Sequence, residues 1–184
     1  MKVSKEQNAL NRDRILNSAS HLFREKGFDG IGINDLMHAA GLTRGGFYGH
    51  FKSKDDLIGQ ACERGLANNA EDWRTTLGAA PDGPLAALAR FYLSEGHQQH
   101  RGKGCVLAAL GPDAARQGPA VREQFSDGVQ TFLGLLEAVL DGDREQAMAK
   151  LSTLVGALVL ARAVDDPALA QGLRQAAMNE VSER

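Results

Sequence analysis

The segment from Thr43 to Lys54 combines hydrogen-bonding side chains with very small ones. Read as a short helix, it places Arg44, Gly45, Tyr48 and Gly49 on one face. An arginine can donate two hydrogen bonds to O6 and N7 of guanine, and a tyrosine hydroxyl suits a phosphate oxygen. Glycine inside a helix costs roughly 1 kcal/mol relative to alanine, so this face must need small residues for another reason. We predict that it approaches the major groove of DNA.

Further polar side chains around this segment suit the sugar–phosphate backbone. Thr43 and His50 can donate to phosphate oxygens, and Lys52 and Lys54 lie at the start of the next predicted helix. Backbone N–H groups at a helix start also attract phosphate. The predicted DNA-contacting residues are Thr43, Arg44, Gly45, Tyr48, His50, Lys52 and Lys54.

The elements around this segment have the spacing of a helix-turn-helix. A first helix is predicted from apolar residues at helical spacing, and a second, short helix ends at Gly41. Hydroxyl groups of Thr43 and Ser53 are expected to cap the third and fourth helices. Phe47 and Phe51 fall on the inner face of the third helix and are expected to pack against the first two. The apolar stripe of the first helix is Ile15, Ala19, Leu22 and Phe23.

Helical periodicity continues through the rest of the chain. A Pro- and Gly-rich break at 78–84 precedes another helical segment, and the polar stretch 96–104 reads as a loop. No convincing strand or repeat is present in the sequence. The predicted fold is therefore all-α, with a small N-terminal unit followed by a larger helical body. Further helices are predicted at about 105–116, 119–140, 143–164 and 167–181.

Charge and composition permit nucleic-acid binding without requiring it. The 184-residue chain has a net charge of −2, which by itself argues against a nucleic-acid partner. Residues 1–65, however, carry ten Lys/Arg against eight Asp/Glu, so the basic excess lies beside the predicted reading segment. The two cysteines do not suggest a disulfide framework, and the polar N-terminus lacks the apolar stretch of a signal peptide. We therefore expect a cytoplasmic protein in a reducing compartment.

Residues 10–57 resemble the N-terminal domain of the TetR family of bacterial transcriptional regulators. Two positions depart from the family pattern: Gly32 stands where a Ser or Thr helix cap is usual, and Gly49 stands where a larger residue is common. The resemblance implies a homodimeric repressor that binds a double-stranded DNA operator and is released by an effector. It is carried by Ile15-Leu16, Ala19, Leu22-Phe23, Lys26-Gly27-Phe28, Asp35-Leu36, Ala39-Ala40-Gly41-Leu42-Thr43, Gly45, Phe47-Tyr48, His50-Phe51, Lys54 and Leu57.

The C-terminal half resembles the same family more loosely, through 104–110 and 154–167. In the family, the last two helices pair across a two-fold axis to form a dimer. The resemblance therefore implies a helix-turn-helix DNA-binding domain at 1–52 and a helical effector-binding and dimerisation domain at 53–184. The predicted dimer contacts are Leu151, Leu154, Val155, Leu158 and Ala161.

Two triggers for release remain open at this stage. Cys105 follows a basic loop and opens a helix, and both features lower a thiol pKa, which favours oxidation or modification of this residue. The alternative is that Cys105 is only a small residue that fills a helix start. Cys62, which lies among apolar residues on one helix face, is interpreted as a buried, inert thiol. Aromatic residues could instead line a cavity for a small molecule, although any helical core needs such residues. These effector-pocket candidates are Trp73, Phe91, Tyr92, Phe125 and Phe132.

Catalysis and metal binding find little support in the sequence. There is no nucleophile–base motif or phosphate loop, so we do not expect an enzyme or a cofactor. His97 and His100 form a His-x-x-His pair without further ligands at suitable spacing, which favours a solvated loop over a metal site. A different class of function stays open: an effector-binding or protein-interaction module that lacks operator recognition. Nothing in the sequence distinguishes an activator from a repressor.

Overall fold

The computed structural model describes residues 4–183. Residues 1–3 and 184 lie outside this range, and with them the outer ends of the two predicted domains and part of the polar N-terminus. Two 3-10 helices, Arg44–Gly49 and Arg101–Lys103, accompany nine α-helices in the described part of the chain. The α-helices are α1 (Lys5–Lys26), α2 (Ile33–Ala39), α3 (Lys54–Gly78), α4 (Pro84–Tyr92), α5 (Glu95–Gln99), α6 (Val106–Ala114), α7 (Pro119–Glu137), α8 (Arg144–Ala163) and α9 (Pro167–Ser182).

The all-α prediction is confirmed, since residues 4–183 contain no strand. Within the same range, none of the helices combines the length and apolar character needed to span a bilayer. The helix bounds differ from the predicted ones by a few residues at most positions. The predicted loop at 96–104 is more ordered than expected, because it contains most of α5 and the second 3-10 helix.

The N-terminal unit is built on α1, which buries Ile15 and Phe23 completely. Gly27 ends this helix with a positive φ of 75°, and Phe28 then folds back so that its ring meets that of Phe23 at 5.5 Å, edge to face. Gly41 ends α2 in the same way, with φ of 69°. These two left-handed glycines turn the chain sharply enough for three short elements to share one core.

We refer to the 3-10 helix Arg44–Gly49 as the reading helix. Its 3-10 geometry, rather than the α geometry that four-residue spacing predicts, follows from its weak helix-forming composition. The predicted Thr43 cap is wrong: the Thr43 side chain accepts no capping hydrogen bond from the described residues, and its backbone carbonyl receives Gly46 N–H at 3.1 Å instead. The Ser53 cap is confirmed, because its hydroxyl accepts Asp56 N–H at 3.0 Å.

Helix α3 joins the N-terminal unit to the body without interruption. Its first turns bury Leu57 and Ile58 beside α1, and its later turns bury Trp73 in the body. Arg64 also ties α3 to α1, because its guanidinium lies 2.8 Å from the carboxylate of Asp13. The two parts of the chain therefore share one continuous apolar core.

Helices α8 and α9 pack against each other at the far side of the body, and a buried lysine joins them. The ammonium group of Lys150 on α8 donates to the backbone carbonyls of Glu180, Val181 and Glu183, at 3.4, 3.1 and 2.5 Å. The last carbonyls of a helix have no intrahelical donor, so Lys150 supplies what the end of α9 lacks.

We expect Lys150→Met to lower the free energy of unfolding by about 1–3 kcal/mol, because buried carbonyls lose their donor while the apolar stem is kept. Urea denaturation measures this. Lys26→Met, at an exposed position at the end of α1, is the control and should change stability by about 0.5 kcal/mol or less. Equal effects of the two substitutions would contradict the capping role.

Candidate functional site

The reading helix separates its residues into two faces. Phe47 is fully buried and Phe51, just beyond the helix, is 2% exposed, whereas Tyr48 is 73% exposed. Arg44 and Gly45 also lie on the exposed side. The ring of Phe47 contacts both Phe51, at 5.7 Å, and Tyr48, at 5.2 Å between centroids. The buried phenylalanines thus hold the polar side chains of this helix toward solvent.

No contact within the protein requires glycine at Gly45 or Gly49, the two glycines on the outer face of the reading helix. A Cβ atom built on Gly45 or Gly49 would lie more than 4 Å from every described atom outside the immediate backbone. Neither residue has a positive φ. Within residues 4–183, the glycines that do are Gly27, Gly41 and Gly142. The cost of these glycines to the helix is therefore not offset by any contact or turn within the chain.

Arg12 of α1 holds the end of the reading helix, a role the sequence analysis missed. Its guanidinium donates to the backbone carbonyl of His50 and to the side chain of Gln60, and it lies 4.5 Å from the centroid of the Phe51 ring. These partners lie 38 to 48 residues away, so no local pattern signals them. Arg12 therefore fixes the position of the reading helix on α1.

Electrostatics around the helix modify two of the predicted phosphate contacts. Desolvation and the nearby Arg12 lower the pKa of His50, so its ring is neutral at pH 7 and offers one N–H rather than a charge. The backbone N–H of Lys52, expected to be available to phosphate, donates to the Asp56 carboxylate at 2.8 Å and lowers the pKa of that carboxyl group. Lys52 and Thr43 remain exposed and Lys54 is half-buried, so the positive charge of the two lysines stays beside the reading helix.

A second candidate site is a cleft of about 320 Å³ in the body, which we call the cavity. Trp73 of α3 and Phe91 and Tyr92 of α4 form its aromatic wall, and the segment from Ser94 to Cys105 forms the opposite wall. Phe132 lies behind the wall, fully buried with its ring 4.7 Å from that of Trp73. Phe125 and Phe132 do not line this cavity: Phe132 is buried in the core and Phe125 packs half-buried against it, so the structure does not bring the five predicted pocket residues together.

Cys105 lies in the cavity wall but is only 3% exposed. Burial raises the pKa of its thiol and outweighs the opposite effects of the Tyr92 hydroxyl, the backbone N–H groups that open α6 and the Arg162 charge. The expected lowering of this pKa is therefore wrong. Arg101 and Lys103, the basic residues behind that expectation, are both exposed to solvent.

His97, which we expected in a solvated loop, is instead half-buried and hydrogen-bonded through both ring nitrogens, whereas His100 is exposed. Its Nε2 accepts the N–H of Cys105 at 2.8 Å, so Nδ1 carries the proton and donates to the Tyr92 carbonyl at 2.5 Å. Burial lowers the pKa of His97 to about 4, which leaves the ring neutral at pH 7. With both nitrogens occupied, His97 can neither ligate a metal nor deprotonate Cys105. No metal-binding group of three or more ligands occurs in the range that the structure describes.

The predicted dimer contacts on α8 face inward. Most of the set is buried against the chain's own core, and Val155 is half-buried, so these residues are not a free dimer surface as predicted. The opposite side of α8 exposes Met148 and Leu160, and α9 exposes Leu169. Helix α8 is apolar on both sides, and periodicity alone does not say which side packs inside. The inward residues are Leu151, Leu154, Leu158 and Ala161.

Comparison with known proteins shows similarity to one family over part of the chain. Residues 15–61, which hold most of α1, α2, the reading helix and the start of α3, match the family described as bacterial regulatory proteins, tetR family. The regulator AcrR of Shigella flexneri is 33% identical over 90 residues, which are 49% of this chain and 42% of that protein. The repressor DhaR of Mycobacterium sp. strain GP1 is 24% identical over 114 residues, 62% of this chain and 57% of that protein.

These matches span about half the length of the two curated relatives. The crystal structure of the reduced form of NemR from E. coli superposes with a TM-score of 0.78 at 21% identity, covering 93% of this chain and 95% of that one. The superposition shows a shared fold over nearly the whole chain. The resemblance seen in the sequence is confirmed over residues 15–61, the part of the chain that matches the tetR family of bacterial regulatory proteins.

Proposed function

We propose that this protein is a homodimeric DNA-binding transcriptional repressor whose reading helix enters the major groove of an operator. The observation that carries the proposal is the pair of outward-facing glycines, Gly45 and Gly49, which nothing inside the protein explains. A helix whose outer face lacks Cβ atoms can approach base edges more closely than one that carries side chains. The match of residues 15–61 to the tetR family, and the similarity to the regulator AcrR and the repressor DhaR, support the same function.

In this proposal, each polar residue of the reading face has a distinct role. Arg44 donates to a guanine edge, whereas Tyr48 and the residues around it hold the sugar–phosphate backbone. The DNA-binding domain comprises 1–52 and the effector-binding and dimerisation domain 53–184. That boundary falls just before Ser53, the cap of α3, so α3 belongs to the second domain and its first turns pack beside α1 of the first. The proposed phosphate contacts are Thr43, Tyr48, His50, Lys52 and Lys54.

The proposed dimer forms through the outward faces of α8 and α9 rather than through the predicted inward residues. Met148, Leu160 and Leu169 are large apolar side chains that remain about half exposed. Gly156 and Gly172 on the same two helices have open space where a Cβ would stand, so another helix can approach closely. A two-fold pair would present two reading helices to half-sites about 34–36 Å apart.

The two proposed triggers converge on the cavity, because Cys105 lies in its wall. A small apolar or aromatic ligand that packs against Trp73 and Phe91 must press on the facing segment from Ser94 to Cys105. The protonated, buried thiol of Cys105 makes direct oxidation slow unless that segment opens. Ligand binding is therefore the trigger that the geometry favours, and modification of Cys105 is the second candidate.

Arg44→Ala should weaken operator binding about tenfold or more, because a bidentate arginine–guanine contact contributes about 1–3 kcal/mol. Tyr48→Phe should have a smaller effect, since it removes one phosphate contact. The operator is first selected from a random duplex pool by the wild-type protein at physiological salt, and affinities are then measured by fluorescence anisotropy. Arg122→Ala, at an exposed site on α7, is the control. Unchanged affinity in both variants, or no selected sequence at all, would favour a module without operator recognition.

Gly45→Ala should make the protein more stable and its operator binding weaker. The added methyl group meets no described atom, so the free energy of unfolding should rise by about 0.5–1 kcal/mol. On DNA, the same methyl group should cost at least about tenfold in affinity. Gly134→Ala is the matched control, since Gly134 is a similarly open helical glycine on α7 and should affect stability alone. A Gly45→Ala protein with wild-type affinity would remove the main support for groove reading.

Cys105 should react slowly with iodoacetamide at neutral pH, because the thiolate is the nucleophile and burial raises the pKa. The rate, followed by intact mass in a Cys62→Ala background, should rise with a midpoint above about 8.5, the value of an unperturbed thiol. A midpoint below that value would instead support the hypothesis that Cys105 has a lowered pKa and senses oxidants.

Operator release then separates the two triggers. Release by oxidant that is reversed by reductant and lost in Cys105→Ser would assign the trigger to the thiol. Release by a small molecule that persists in Cys105→Ser would assign it to ligand binding.

A further inference from the structure

The segment His97–Cys105, which we call the coupling segment, lies between the cavity and two helices. A Cβ on Gly102 would come within 2.5 Å of the His21 ring of α1, and one on Gly104 within 2.7 Å of the Arg162 guanidinium of α8. The backbone of the segment therefore rests directly on both helices. Its other side lines the cavity, so a ligand there cannot displace the segment without disturbing one of these contacts.

Two arginines hold the carbonyl oxygens of the coupling segment from opposite sides. Arg24 of α1 donates to its own helix at Ser20 O, at 3.0 Å, and to Gly104 O at 2.7 Å. Arg162 of α8 donates to His97 O at 2.7 Å. Hydrogen bonds from a charged donor are roughly twice as strong as neutral ones. Gly104 immediately precedes Cys105, so Arg24 acts on the residue next to the thiol.

Arg24 and the residue that fixes the reading helix belong to the same rigid element. Helix α1 runs without a break from Lys5 to Lys26, and Arg12, three turns before Arg24, holds the His50 carbonyl at the end of the reading helix. An α-helix transmits an axial or lateral shift along its length, because every turn is hydrogen-bonded to the next. A displacement of the Gly104 carbonyl is thereby linked to the position of the reading helix.

We propose that Arg24 is a positioning residue that couples the coupling segment to operator affinity through its hydrogen bond to Gly104. The role rests on the proposed function and deepens it by naming how the cavity regulates DNA binding. A ligand or modification that moves the segment breaks this bond and lets α1 shift. Because coupling between two sites is reciprocal, operator binding favours the state with the intact bond, in which Cys105 stays buried.

The coupling can be measured without identifying the effector, because the experiment needs only the operator and iodoacetamide. Cys105 is alkylated by iodoacetamide in the Cys62→Ala protein with and without saturating operator, selected as described above, and the two rates are compared. In the protein with Arg24 intact, operator should slow alkylation at least about fivefold, the lower range of typical coupling between sites. In Arg24→Met, measured at an operator concentration that saturates this variant, the ratio should fall to about 1.

The ratio distinguishes coupling from a merely structural role. Loss of Arg24 can alter the intrinsic reactivity of Cys105 or loosen the segment, but either effect changes both rates and cancels in the ratio. Arg174→Met is the matched control: Arg174 of α9 donates to the Leu93 carbonyl at 2.9 Å, a similar bond that does not involve α1, and its loss should leave the ratio unchanged. Arg24→Lys retains one charged donor and should restore part of the ratio.

Each outcome bears on the proposal. A ratio that stays at fivefold in Arg24→Met overturns the role of Arg24 and leaves DNA binding intact; coupling would then run through α6, whose Asp113 lies against Gly27 at the end of α1. An equal loss of the ratio in Arg174→Met would also overturn it, as the effect would not be specific to α1. If the protein selects no operator, the proposed function fails and the coupling role fails with it.

Discussion

Burial of Phe47 and Phe51 in the apolar core is the constraint on which the proposed DNA-reading surface depends. A six-residue 3-10 helix with three glycines cannot persist by itself, because isolated short helices are marginal even with good helix formers. Its order comes from two aromatic rings in the core and from Arg12, which holds the final carbonyl. Gly45 and Gly49 on the outer face add no side-chain contact to this support, and the face is free for the proposed contact with DNA.

The same division between support and surface recurs in the body. Two hydrogen-bonding groups in the cavity wall are uncharged at pH 7: the His97 ring is deprotonated and the Cys105 thiol is protonated. The charged groups that order this region, Arg24 and Arg162, bind backbone carbonyls from outside it. Burial lowers the pKa of both arginines, yet a guanidinium remains charged in any folded protein. The segment between them is held in part by these directed bonds, which makes its position sensitive to a ligand.

Helix α8 shows why a periodic pattern can mislead about an interface. It carries apolar or small residues on nearly every side, so the stripe of Leu151, Leu154 and Leu158 looked suitable for a partner. In the folded chain these residues are buried against the chain's own core, and Met148 and Leu160 are left exposed. An interface is defined by what the rest of the chain leaves uncovered, and that is a property of the tertiary structure.

The sequence by itself determined the helical class, the helix-turn-helix and the two faces of the reading helix. These features depend on residues within a few positions of one another, whose spacing is visible as periodicity, caps and glycine stops. Only the tertiary structure decided that Cys105 is buried, that His97 is an internal neutral ring and that Arg24 meets Gly104. The Arg24–Gly104 bond joins residues 80 positions apart, and Cys105 is buried in a core to which distant segments of the chain contribute. Desolvation of a thiol by distant segments cannot be seen in its neighbours along the chain, and here it reversed the pKa that those neighbours had suggested.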